Sequence, residues 1–406
     1  MLYFAYQSQN DVMDPIRTVA RSMLSLIGSW NGMAGAGGAP LRSMAAAYEL
    51  IARAGLTHTR PAYGIESVTV GNETVAVVER SRFVAPFGTL LHFKKDVAVA
   101  QPRVLVVAPL SGHFATLLRN TVRTLLADHD VYITDWHNAR DVPLAQGPFA
   151  FDDYVETLMT FLRVLGPGTH VVAVCQPCVQ VLAAAALLAE DDDPAQPRSM
   201  TLMAGPIDTR INPTKVNELA SSKPIEWFEK NLIATVPGRY PGAGRRVYPG
   251  FVQLSAFMAM NIDRHVKAHV ELYENLSRGD IEKAAVAKTF YDEYFAVLDL
   301  DAEFYLETVA RVFQEAQLAE GTLAYRGRKV DPRAIRRTAL LTVEGERDDI
   351  CALGQTAAAH DLTPSLKPYR KRHHMQAGVG HYGVFSGRRW ENQIYPIVRN
   401  VILSAD

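Results

Sequence analysis

Short apolar runs and longer segments of helical spacing alternate from Val104 to Ala204, and this alternation constrains the fold of the chain more than any other feature. Val104 to Ala108, Val131 to Thr134, His170 to Val174 and Met200 to Ala204 read as strands. Ala115 to Ala127, Tyr154 to Leu165 and Val179 to about Glu190 read as helices. Strands joined through helices require right-handed crossovers, which lay them parallel in one sheet flanked by helices. The apolar run Thr338 to Val343 reads as a further buried parallel strand. Upstream, Ser67 to Val70, Thr74 to Glu79 and Thr89 to Phe93 alternate as an antiparallel entry hairpin and a third strand would.

Ala173-Val174-Cys175-Gln176-Pro177 puts a cysteine at one of these strand-to-helix turns. An α/β-hydrolase keeps its nucleophile there, in the pattern G-x-S-x-G. Here Ala173 and Pro177 stand for the glycines and Cys175 for the serine, so both glycines are missing. A side chain on such a turn projects into open space, and the positive end of the following helix favours a thiolate. The plain alternative is a buried cysteine ending a core strand. Its partners follow in the chain order of that fold. Gly345-Glu346-Arg347-Asp348-Asp349-Ile350 places a carboxylate just past a strand end, with Asp348 the candidate acid and Asp349 the alternate. Gly378-Val379-Gly380-His381-Tyr382-Gly383 then carries a glycine-flanked histidine ahead of a C-terminal helix. In these roles Cys175 attacks, His381 takes and returns the proton, and Asp348 fixes the imidazole tautomer. Backbone N–H groups for an oxyanion are expected from Gln176 and, in the loop after Val104 to Ala108, from Leu110 or Ser111. Ser111 and His113 are too close in sequence to be read as a nucleophile and its base.

The fold expected is therefore an α/β-hydrolase, with a mostly parallel central sheet and a large helical cap inserted in it. The boundaries expected are an N-terminal helical segment 1–60, a first core part 61–205, a helical cap 206–337 and a second core part 338–406. Residues 11–29 and 41–54 have helical spacing, and glycine-rich Asn31 to Pro40 reads as a flexible connector. Between Gly205 and Arg337 the alternation stops and aromatic residues such as Trp227, Phe257, Tyr291 and Tyr294 accumulate. Such an insertion would sit above the strand C-termini, where open α/β sheets bind ligands. The net charge of −1 implies no broad attraction to nucleic acid. Three cysteines cannot form a secreted disulfide framework, so a reducing cytoplasm is expected. Asp11 and Asp14, with no basic residue before Arg17, do not have the layout of a signal peptide, and no apolar run reaches membrane-spanning length.

Six motifs carry a resemblance over essentially the whole chain: Met1-Leu2-Tyr3, Ala108-Pro109-Leu110-Ser111-Gly112-His113, Tyr132 to Arg140, Val174-Cys175-Gln176-Pro177, Glu344 to Ile350, and Gly380-His381-Tyr382-Gly383-Val384-Phe385. The sequence resembles the intracellular poly(3-hydroxybutyrate) depolymerases of carbon-storing bacteria. The resemblance implies a cysteine nucleophile at Cys175, acid Asp348 and base His381. It also implies cleavage of amorphous storage polyester at the granule surface, giving 3-hydroxybutyrate and oligomers, with no metal or organic cofactor. Related polyhydroxyalkanoate synthases share an Asp-Trp-x-Asn segment and a Cys-Asp-His triad, but their elbow keeps the glycines this chain lacks. A thioacyl enzyme can also be resolved by a thiol, so coenzyme A (CoA) is a second acceptor. Arg326-Gly327-Arg328-Lys329 and Arg370-Lys371-Arg372 could meet its phosphates, although a solvated surface is the simpler reading.

Other readings remain open at this level. Cys175-Gln176-Pro177-Cys178 is a C-x-x-C, which a thiol–disulfide oxidoreductase would use. A zinc site could draw on the same cysteines with His373 and His374. A non-catalytic granule coat would need only an exposed apolar surface, for which the N-terminal stripe Met13, Ile16, Val19, Met23, Leu26 and Ile27 or the cap rim are candidates. Such a surface also allows a homodimer.

Overall fold

The computed structural model describes residues 2–34, 38–260 and 262–406. Nine strands form its central sheet: β1 (Ser67–Val70), β2 (Glu73–Ala85), β3 (Gly88–Lys95), β4 (Arg103–Val107), β5 (Asp130–Trp136), β6 (Thr169–Val174), β7 (Ser199–Met203), β8 (Ala339–Gly345) and β9 (Lys371–Gln376). Their order is β1-β2-β3-β5-β4-β6-β7-β8-β9. The pairs β1–β2, β2–β3 and β3–β5 are antiparallel. Every pair from β5 across to β9 is parallel. An antiparallel entry, the exchanged places of β4 and β5, and helical connections on a mostly parallel sheet make this the α/β-hydrolase fold.

The inner strands are continuous apolar runs because both of their faces are covered. All residues of β6 and β7 are buried. The helix Cys178–Glu190 after β6 is apolar on every side, and Cys178 to Leu188 are all buried, as a helix enclosed by the core must be.

Several elements differ from the expectation. The stretch Ala115 to Ala127 divides into a 3₁₀ turn, Ala115–Leu118, and a helix, Arg119–Leu126. The first helix runs from Leu2 to Ala34, straight through Pro15. Proline deletes one backbone hydrogen bond there; beside it Arg17 donates to the side chains of Asn10 (2.7 Å) and Asp14 (2.9 Å). Of the glycine-rich stretch read as a connector, residues 31–34 are helical, Ala39 and Pro40 open the next helix, Ala39–Arg53, and residues 35–37 lie outside the described residues. Strand β9 escaped the sequence reading altogether, because Lys371-Arg372-His373-His374 on a sheet edge has no apolar alternation.

The segment between β7 and β8 is mostly helical, and it also holds strands. Ala234–Thr235, Arg246–Tyr248 and Leu300–Asp301 form a three-stranded sheet, and Ala324–Tyr325 pairs with Arg328–Lys329. Strands of two or three residues leave no periodicity to read. Three of the insertion's helices, Gly250–Met260, Ile262–Arg278 and Ile281–Tyr294, reach over the carboxyl ends of the sheet. Many of its aromatics pack on one another, as in the stacked Phe290–Tyr294 and Tyr248–Tyr305 pairs. Among the described residues no helix is long and apolar enough to cross a membrane.

Candidate functional site

Strands β6, β7 and β8 end together, tied by Cys175 N–H to Met203 O (2.8 Å) and Ala204 N–H to Val343 O (2.9 Å). Cys175 follows immediately and has φ 67°, the left-handed region that costs a non-glycine residue energy and recurs at functional turns. With alanine and proline in place of the elbow glycines, the room for this turn comes from a neighbouring strand. A β-carbon on Gly205 would drive into the Cys178 side chain and approach the Cys175 carbonyl to 2.9 Å. The close-approach glycine thus follows β7 instead of lying within the pentapeptide.

Asp348 sits in the turn after β8. Its Oδ1 accepts from the backbone N–H groups of Ile350 (2.9 Å) and Cys351 (2.8 Å), which leaves Oδ2 to accept from Nδ1 of His381 at 2.8 Å. The acid turn and the histidine loop are fastened together. Arg347 N–H donates to Val379 O (2.9 Å) and Gly378 N–H to the Glu346 carboxylate (2.7 Å). Gly345 is needed at this junction, since a β-carbon there would lie 2.9 Å from Val379 O. Asp348 and His381 are both buried. Burial opposes charge on the imidazole, yet the Asp348 carboxylate and the interactions of Cys175 with the ring hold His381 well above the ordinary histidine value. Cys175, Asp348 and His381 are therefore gathered at one point, and Asp349 is exposed beside them.

Sequence reading passed over Glu344, the last but one residue of β8. Buried at the strand end, it accepts from the N–H groups of Gly354 (3.0 Å), Thr356 (2.8 Å) and Ala357 (2.9 Å) and so shapes the segment after the acid turn. A carboxylate directly at the end of an apolar run, still within the strand, is the signal that could have found it. Among the described residues no acceptor meets the backbone N–H of Gln176, Leu110 or Ser111. The loop carrying Leu110 and Ser111 is pinned to the insertion. Leu298 N–H donates to Gly112 O (2.9 Å), and His113 meets Tyr294 O (3.1 Å) through Nε2. Burial pushes His113 down to about 4.

The Asp-Trp-x-Asn segment buttresses the same loop from behind. Trp136 Nε1 and the Tyr154 hydroxyl both donate to Ala108 O, at 2.9 and 3.1 Å, and Asn138 Oδ1 accepts from Asp299 N–H at 2.9 Å. Tyr3, from the chain's opening motif, donates its hydroxyl to the buried Asp299 carboxylate (2.5 Å).

A cleft of about 830 Å³ opens between the three insertion helices and the acid and histidine loops. His381 and Tyr382 are in its wall, together with Arg264, Arg347 and Asp349, whereas Cys175 stands outside that wall.

The remaining candidates do not assemble. Cys178 is fully buried in the first helical turn, with Sγ toward Ala173 O (3.6 Å) and Met203 O (3.7 Å). Burial, and then the neighbouring Cys175, push its thiol well up, the reverse of what an exchanging thiol needs. His373 bonds Thr342 Oγ1 (2.9 Å) and His374 bonds Gln376 (3.1 Å), so the zinc reading fails: among the described residues no cluster of three or more metal-ligating side chains occurs. The basic segments are engaged locally. Arg328 pairs with Glu190 (2.6 Å) and Asp191 (2.8 Å), and Lys371 donates to His360 O (2.7 Å).

Nothing among the curated proteins matches the chain. Among solved structures it is similar to the lip1 protein of Acinetobacter baumannii AYE (14% identity, 81% of this chain and 93% of that one, TM-score 0.46). It is also similar to 2-hydroxy-6-oxo-6-phenylhexa-2,4-dienoate hydrolase (BphD) of Rhodococcus sp. strain RHA1 (12%, 82% and 99%, TM-score 0.41). A third similar structure is the monoacylglycerol lipase of Paleococcus ferrophilus (13%, 76% and 97%, TM-score 0.42). A family model described as PHB de-polymerase C-terminus matches residues 204–406, half of the chain, from the end of β7 through the acid and histidine loops to the last residue. With that match and the α/β-hydrolase sheet that presents these loops, the chain belongs to the PHB depolymerase family and is an ester hydrolase.

Proposed function

We propose that the chain is a poly(3-hydroxybutyrate) depolymerase that cleaves storage polyester through Cys175, His381 and Asp348. The observation that carries this reading is the hydrogen bond from His381 to a carboxylate fixed by two backbone donors, with Cys175 on a strained turn acting on the same ring. The Cys175 thiolate, paired with the His381 imidazolium, adds to an ester carbonyl. The resulting oxyanion takes hydrogen bonds from Gln176 N–H and from Leu110 or Ser111 N–H. His381 gives its proton to the leaving alkoxide as the C–O bond breaks, leaving a thioester on Cys175. A water then loses its proton to His381 and adds to the thioester. Collapse releases the acid and restores the ion pair, with Asp348 holding the ring throughout.

Residues 206–337 act in this reading as a cap over the sheet, and the cleft beneath it receives the polymer. A thiol such as CoA can take the place of water at the second step, with the same transfer of its proton to His381. The site of action is the surface of cytoplasmic storage granules. The test follows 3-hydroxybutyrate release from native amorphous granules by the unaltered protein, Cys175→Ala and Cys178→Ala. Loss confined to Cys175→Ala supports the reading, and release by Cys175→Ala at the unaltered rate contradicts it.

A further inference from the structure

Two neighbouring helices of the insertion leave apolar side chains in water beside the cleft. On Ile262–Arg278, Ile262, Val266 and Val270 repeat every four residues and are 51, 56 and 52% exposed. On Ile281–Tyr294, Val286 is 74% exposed and Phe290 is partly so. Four-residue spacing puts each set on one face of its helix. Charged side chains flank this face: Asp263 and Lys267 stand three residues before Val266 and Val270, Lys267 pairs with Glu271 (3.9 Å), and Arg264 faces the cleft.

The two sets are joined through the catalytic cleft. A groove of about 410 Å³, walled by Leu50, Met258, Ile262, Val266 and Val270, shares His265 with the cleft that holds His381. Val286 and Phe290 lie in the cleft wall themselves. The exposed valines thus adjoin the cleft that holds the catalytic histidine, whose wall sets Val286, Phe290 and Tyr294 among the charged Arg264, Glu271, Lys283, Arg347 and Asp349. A binding site for a soluble charged substrate would not need such a lip.

We propose that this lip, formed by Ile262, Val266, Val270, Val286 and Phe290, is the surface by which the protein sits on its insoluble substrate, a solid of uncharged aliphatic polyester. The proposal rests on the depolymerase reading and adds where the solid is held. The lip buries itself against the amorphous polymer beside the cleft, and the cleft that holds His381 receives the chain segment to be cut. The N-terminal helix carries a separate exposed set, Phe4, Val12, Ile16 and Val19, but none of these residues lines the cleft or the groove.

The test is a double substitution, Val266→Glu with Val270→Lys. This i,i+4 order supports a helix while it removes two apolar contacts and leaves net charge unchanged. Neither residue lines the cleft. A matched control carries Val12→Glu with Ile16→Lys on the N-terminal helix. Each protein is sedimented with native amorphous poly(3-hydroxybutyrate) granules and assayed on a soluble 3-hydroxybutyrate trimer ester. The expected result is a weakening of granule affinity by about tenfold or more for the cap variant alone. Its turnover of the trimer stays at the unaltered level. Unchanged sedimentation of the cap variant, or loss of sedimentation in the N-terminal control instead, overturns the proposal. Failure of the unaltered protein to cleave the trimer would instead count against the depolymerase reading.

Discussion

Replacing Asp348 by asparagine removes one charge and conserves shape, so its effect measures what the carboxylate does for His381. The Oδ1 contacts to the Ile350 and Cys351 N–H groups can persist, because an amide oxygen accepts equally well. The other position becomes an NH₂ group facing Nδ1 of His381, where a carboxylate oxygen now stands at 2.8 Å. Two donors cannot meet there, so the imidazole must carry its proton on the opposite nitrogen and can no longer take one from Cys175. The lost attraction between unit charges about 4 Å apart is roughly 4 kcal/mol at an effective dielectric constant of about 20. That energy corresponds to about three decades in rate. The wrong tautomer brings the expected loss in kcat/KM toward about 10⁴-fold. The assay is hydrolysis of a soluble 3-hydroxybutyrate oligomer across pH, with thermal unfolding in parallel to verify the fold. A variant within tenfold of the unaltered enzyme would refute the account of Asp348.

Further expectations concern stability as well as rate. Gly205→Ala should cost about 1–3 kcal/mol by forcing a methyl group into Cys178 and the Cys175 carbonyl, read as a lowered denaturation midpoint. Cys178→Ala should lower stability modestly by leaving a small cavity and should keep hydrolytic turnover, measured by urea unfolding and ester assay. Tyr3→Phe takes away the hydroxyl that bonds the buried Asp299 carboxylate, and chemical denaturation should show a loss of about 1–3 kcal/mol. His113 is held neutral in the folded protein, down to about 4, while the unfolded chain protonates it near the usual 6.5. The unfolded state therefore binds more protons between these values, and stability should fall as pH drops from about 6.5 toward 4. His113→Gln should flatten that slope in a pH series of urea midpoints; an unchanged slope would assign it to other groups.

The parallel core was legible because its strands are buried on both faces, and burial writes itself as short, mostly apolar runs from Val104, Val171 and Met200. The acid turn and the histidine loop were legible through their glycines, and Gly345 lies against Val379 as that density suggests. What escaped reading was decided by partners distant in sequence. Strand β9 is charged and pairs with β8 on one side only, so its residues look like a loop. The tiny strands exist only through their pairing: Arg246–Tyr248 takes Ala234–Thr235 on one side and Leu300–Asp301 on the other. The elbow glycine was sought next to Cys175, where the pattern usually has it. Its steric part is taken by Gly205, thirty residues later and just beyond the neighbouring strand β7, a substitution that only the three-dimensional arrangement reveals.

Whether a covalent thioester forms on Cys175 tests the mechanism most directly. The protein should be mixed with a 3-hydroxybutyrate trimer ester, quenched in acid within milliseconds to seconds, and digested for mass spectrometry of the peptide containing Cys175. The account predicts a hydroxybutyryl adduct on that cysteine, released by neutral hydroxylamine and absent from Cys175→Ala. An adduct on a serine, or full turnover by Cys175→Ala, would contradict it.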